Sequence, residues 1–137
     1  MKNENQHESN EDKSKPKFLR KRIKSFGYAF KGILLLFQTQ IHARIHLIAT
    51  VFVTILGFYF KISKSEWSVI ALTCTMVISS EAINTAIETI IDLVSPGHHV
   101  LAGRAKDLAA GAVLIIAVGA VIVGLIIFLP YFLNTFN

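Results

Sequence analysis

The stretch WSVIALTCTMVISSEAINTAIETIIDLV, residues 67–94, decides how the rest of the chain is read. Its first half is apolar, and its second half carries Glu81, Asn84, Glu88 and Asp92. On a helix advancing about 100° per residue, these spacings bring all four onto one stripe roughly 80° wide. From Trp67 to Ile91 the run is 25 residues long, with Glu81 and Glu88 as its only formal charges. A bilayer core takes about 20 residues, so this is a membrane span. An ionised acid near mid-bilayer costs on the order of 2.5 to 3.5 kcal/mol by insertion scales, so both acids must face protein or water and they mark a functional site. Four polar groups in register exceed what anchoring at an interface needs.

Outward from that stretch, the 137 residues are 53% hydrophobic, concentrated in three blocks rather than spread at globular periodicity. The expected fold is an all-α membrane protein with an N-terminal amphipathic surface helix and three transmembrane helices. Charge is informative by position. Of fourteen Lys and Arg, nine precede residue 32, Arg44 follows, Lys61 and Lys64 flank the first gap, Arg104 and Lys106 precede the last block, and none comes later. The positive-inside rule then puts the N-terminus in the cytoplasm, with the C-terminus outside. The second span runs outside to inside, and Glu81 to Asp92 fall in its cytoplasmic half, the side where ATP is. No nucleic-acid partner is expected. The lone Cys74, inside the second block, reads as a small buried apolar residue.

Residues 1–17 are hydrophilic without apolar periodicity and read as a disordered polar tail; 18–134 form one membrane domain. Leu19, Ile23, Phe26, Phe30, Ile33 and Phe37 recur at spacings of three and four, with Arg20, Lys21, Lys24 and Lys31 away from that stripe, predicting an amphipathic helix over about 18–40. Its basic face suits anionic lipid; it serves as a plain anchor or also holds nucleotide phosphates. The polar hinge from Gln40 to His46 leads into a first span of about 45–62. His42 and His46 are four apart, but no Cys or acid sits nearby in sequence, so a metal there is not expected. The second span is placed at about 67–92, ended by the Ser95-Pro96-Gly97 turn signal, and the third at about 105–130. Gly111, Gly119, Ala120 and Gly124 supply small residues for close helix contact in the third.

The cytoplasmic layer thus gathers Glu81, Asn84, Glu88, Asp92, Asp107, Lys106, Arg104 and the basic helix. Carboxylates with an amide suit a hard cation such as Mg²⁺, and Lys or Arg suit phosphate oxygens. A carboxylate deeper in the membrane can accept a proton from a lipid hydroxyl. Together these groups describe phosphoryl transfer to a lipid alcohol. The chain has no GxxxxGK[ST] and no protein-kinase signature, so phosphates would be held without a P-loop.

EAINTAIETIIDLV, from Glu81, followed by HHVLAGRAKDLAAGAVLI, from His98, closely resembles the prokaryotic diacylglycerol kinase and undecaprenol kinase family of small three-span lipid kinases. The resemblance covers about Phe18 to Pro130. It implies that Glu81 is the catalytic base, Glu88 a metal-binding carboxylate, and Asn84, Asp92, Lys106 and Asp107 further polar residues of the site, with Arg44 and Arg104 beside them. Lys21, Lys24 and Tyr28 match positions that contact nucleotide, and the family's homotrimer, with sites shared between neighbours, implies a trimeric bundle binding ATP, Mg²⁺ and a lipid alcohol. One position departs from the pattern. Many members carry a metal-binding Glu shortly before the first span, where this chain has Gln40, a neutral ligand at best.

Two rival readings make different demands. An ion or proton pathway needs polar groups through the whole membrane thickness, but Val69 to Val77 offers only Thr73, Cys74 and Thr75, and the third span has no charge after Asp107. A non-catalytic membrane assembly subunit would make Glu81→Gln silent.

Overall fold

The computed structural model describes residues 4–135, with side chains from residue 20 onward. Four helices follow in chain order: α1 (Glu4–Thr39), α2 (Ile41–Phe60), α3 (Lys64–Val94) and α4 (Val100–Thr135). The last three are each long and apolar enough to cross a membrane. The chain forms two compact units, one up to Leu35 and one from Leu36 onward.

In the first unit, α1 begins at Glu4, so helix runs through 4–17 where polar composition predicts a disordered tail; residues 1–3 of that tail lie outside the described residues. Straight-chain Glu, Gln and Lys extend a helix once a nucleus exists downstream, even without an apolar stripe. Beyond it, Ile23, Phe26 and Phe30 of the stripe are all more than 60% exposed. Lys24 Nζ lies 6.0 Å from the centre of the Tyr28 ring.

In the second unit the helix boundaries follow from local chemistry. Gln40 is extended, with φ −101° and ψ 117°, and that single residue separates α1 from α2. Lys61 ends α2 in the left-handed region, φ 53° and ψ 46°, its N–H bonding back to the Gly57 and Phe58 carbonyls. A non-glycine residue there costs about 1 kcal/mol. Ser63 opens α3 through a capping box: its hydroxyl accepts from the Glu66 N–H, and Glu66 Oε2 accepts from the Ser63 N–H at 2.7 Å. Ser95-Pro96 closes α3, because a residue before proline disfavours helical backbone. α4 continues through Pro130 to Thr135, past the expected end at about residue 130. Proline removes one N–H, but the turn beyond is held by Tyr131, which packs in the core described next, and by Thr135 Oγ1 donating to the Tyr131 carbonyl at 2.9 Å.

The core lies at the end of the bundle where α3 begins. Ile62, Ile70, Ile127 and Phe128 are buried there, with Phe60, Trp67 and Tyr131 packed around them. The Phe60 ring sits 4.9 Å from Phe132 and 5.7 Å from Tyr131. Gly57 is required by close approach: a Cβ on it would stand 2.8 Å from the Trp67 ring. Tyr131 donates a hydrogen bond to Glu66 Oε2 at 3.0 Å, tying the last turns of α4 to the first turn of α3.

Elsewhere packing is sparse. Only 11%, 22% and 17% of the apolar windows of α2, α3 and α4 are buried, so most of each span faces outward. Among the described residues, no close contact forms at the α4 glycines: a Cβ on Gly111, Gly119 or Gly124 would meet nothing within 4 Å. Ala120 and Gly124 instead border a cavity of about 230 Å³ between the three helices, shared with His46, Thr50 and Cys74. Small side chains leave volume that no neighbour on the same chain fills.

Candidate functional site

The site is built on the second half of α3, whose backbone places the stripe where helical periodicity demands. Glu81 is 3% exposed and Asn84 8%, and they are the buried polar residues of the chain among those described. Thr85 Oγ1 donates to the Glu81 carbonyl at 2.9 Å, and Thr89 repeats the bond to Thr85. Those hydroxyls turn inward on their own helix rather than joining the stripe.

Asn84 and Glu88 touch. Asn84 Nδ2 donates to Glu88 Oε1 at 3.2 Å, which fixes the amide so that Oδ1 points elsewhere. That oxygen is buried and has no hydrogen-bond partner in the chain. An orphaned buried acceptor is costly unless something meets it. One turn further on, the stripe reaches water: Asp92 pairs with Lys106 Nζ of α4, and the two side chains are 66% and 36% exposed. This ion pair spans the short 95–99 connection and fixes how α4 leaves α3. Asp107 and Arg104 are exposed on the same opening turns of α4.

The oxygen donors fit Mg²⁺. Magnesium takes one or two carboxylates plus phosphate oxygens and waters rather than a full protein cage. Glu88 supplies a carboxylate and Asn84 Oδ1 an unclaimed amide oxygen beside it. Among the described residues no group of three His, Cys, Asp or Glu side chains is placed to hold a metal, so most of the shell would come from the nucleotide and water.

The sequence-predicted residues therefore divide. Glu81, Asn84 and Glu88 share one buried-to-half-buried face, and Asp92 and Lys106 meet at its open end. Gln40 is half-buried at the entry to α2, and its side chain does not cap that helix. Arg44 is turned back to the preceding backbone, Nη2 donating to the Gln38 carbonyl at 3.1 Å. Lys21, Lys24 and Tyr28 belong to the first unit. The capping box had a signal available, the S-x-x-E spacing of Ser63 and Glu66. The pairing of Glu66 with a tyrosine 65 positions away had none.

An all-helical chain with three membrane-length helices, a buried acid and amide, and a half-buried carboxylate in register with them is a small membrane-embedded enzyme. The prokaryotic diacylglycerol kinase family matches residues 27–128. The chain is 44% identical over 108 residues to the undecaprenol kinase of Bacillus subtilis, covering 79% of this chain and 88% of that protein. It is 42% identical over 111 residues to the diacylglycerol kinase of Synechocystis sp., 80% of this chain and 63% of the other. With the diacylglycerol kinase of Escherichia coli the identity is 28% over 110 residues, 80% and 90% of the two chains. The chain belongs to the prokaryotic diacylglycerol kinase family and is a lipid kinase.

Proposed function

We propose that the protein transfers the γ-phosphoryl group of ATP to the primary hydroxyl of a membrane lipid alcohol, with Mg²⁺, at the cytoplasmic face of a bacterial inner membrane. The observation that carries this reading is Glu81, an acid 3% exposed on an apolar helix, three residues from an amide with an unclaimed oxygen. A carboxylate held at that depth can take the hydroxyl proton as the lipid oxygen attacks the γ-phosphorus and ADP leaves. Mg²⁺, when bound, neutralises charge on the β- and γ-phosphates. Glu88 with Asn84 would hold it. Lys106, Asp107 and Asp92 would order the polyphosphate and its approach, with Lys21, Lys24 and Tyr28 receiving the nucleotide and Arg44 and Arg104 beside them. Sites shared in a homotrimer would also supply the burial that one chain withholds from its spans.

Undecaprenol is preferred over diacylglycerol as acceptor. The Ser95-Pro96-Gly97 turn and the Arg44-Ile45-His46 approach resemble the undecaprenol branch, and the Bacillus relative carries that name. The deciding experiment gives purified protein ATP, Mg²⁺ and each lipid in turn, and measures phosphorylated lipid for the parent and for Glu81→Gln. Product from neither lipid overturns the kinase reading for this chain; product surviving in the variant removes Glu81 as base. Gln40→Glu, assayed over a Mg²⁺ titration, is expected to lower the metal concentration needed for half-maximal rate. An unchanged requirement takes Gln40 out of the site.

A further inference from the structure

The residue that starts α4 is a histidine used as a helix cap. His99 Nδ1 accepts a hydrogen bond from the Leu101 N–H at 3.2 Å, and the His99 carbonyl receives the first helical bond, from Gly103, at 3.0 Å. Position and partner are those of an N-cap side chain, which satisfies one of the four N–H groups a helix start leaves open. Most caps are Ser, Thr, Asp or Asn, whose oxygens accept at any ordinary pH. An imidazole accepts at Nδ1 only while that nitrogen carries no proton, with the hydrogen on Nε2. Protonation converts the acceptor into a donor that faces the Leu101 N–H, and it also sets a cation at the positive end of the helix dipole.

The turns that this cap closes carry the basic corner of the site. Arg104, Lys106 and Asp107 lie five, seven and eight residues past His99, and Lys106 reaches across to Asp92. We infer that His99 is a positioning residue: in its neutral form it holds the opening of α4 so that Lys106 and Asp107 meet the nucleotide, and on protonation it releases that hold. The groups bordering the loop are His98 beside it, Asp92 at the end of α3, and Arg104, Lys106 and Asp107 on α4; Asp92 and Lys106 are already paired with each other. The cap is therefore present while the His99 imidazole is neutral and lost once acid protonates Nδ1. Activity should fall on that acid side through a rising KM for ATP more than through kcat.

The inference rests on the kinase reading for its activity arm, so the test has a second arm that does not. Full-length protein is compared with His99→Asn, His99→Ala and the control His98→Ala, from pH 5.5 to 8.5. Hydrogen exchange at the amides of Leu101 to Gly103, corrected for intrinsic rates, should speed several-fold on acidification in the parent and in His98→Ala. It should be fast throughout in His99→Ala and slow throughout in His99→Asn, whose side-chain oxygen caps at every pH. In the ATP and lipid assay, His99→Ala should raise KM for ATP several-fold at pH 8, while His99→Asn keeps the parental value there and flattens the acid limb. Exchange that is independent of pH in the parent, or equal in the Ala and Asn variants, overturns the cap. Intact exchange behaviour with parental kinetics in all variants overturns the positioning role alone.

Discussion

The two ends of the three-helix unit are built on opposite principles. Where α3 begins, aromatic rings fill the space between helices, Gly57 lets Trp67 approach closely, and every polar group singled out is paired: Ser63 with Glu66, Glu66 with Tyr131. Toward the end of α3, a buried acid and a buried amide occupy positions that apolar side chains would fill more stably, and Asn84 Oδ1 is left without a partner. One end is closed upon itself and the other is left open to meet a ligand. On the proposed function, stability is gathered away from the chemistry, and the open end tolerates an unsatisfied group while the closed end packs the helices together.

This contrast can be broken in order of expected effect. Glu81→Gln should reduce lipid phosphorylation by about 10²- to 10⁴-fold, the range for removing a general base. The same change should leave thermal unfolding in detergent unchanged or shift it upward, since a buried charge is replaced by an amide. Gly57→Ala should do the reverse, costing roughly 1 to 3 kcal/mol by overpacking against Trp67 while the folded fraction keeps its specific activity. Lys106→Met should lower activity by about tenfold if the lysine meets phosphate, yet change stability by less than about 1 kcal/mol, because an exposed ion pair contributes little. Tyr131→Phe, which deletes only the hydroxyl that bonds Glu66, should lower the unfolding midpoint slightly and leave turnover unchanged. Lys61→Gly relieves a left-handed residue at the end of α2 and should add up to about 1 kcal/mol. An activity loss from Gly57→Ala as large as that from Glu81→Gln would show that the two ends are not separable.

What the sequence conveyed follows the same division. Glu81, Asn84 and Glu88 were legible because acids within an apolar run have so few physical excuses, and helical spacing then put them on one face. That Lys106 lies level with Asp92 was legible because a short connection brings the end of α3 and the start of α4 together, but the ion pair between them was not read from the sequence. Helix ends were harder. Pro96 stopped α3 as expected, whereas α4 runs on through Pro130, since tertiary packing around Tyr131 outweighs one lost hydrogen bond. The Gly111, Gly119 and Gly124 series suggested close contact, but a small residue records only that space exists, not who uses it. The histidine cap was invisible because imidazole is not a customary capping group.

The thin interior of the spans has a bearing on how this chain tolerates change. With so few side chains enclosed, exchange of one aliphatic for another along the outward faces of α2 and α4 meets little resistance from neighbours on the same polypeptide. A saturation library scored for growth should therefore show broad permissive bands on those faces. Against them the α3 stripe and the aromatic knot would stand out as two narrow, separate clusters of intolerance.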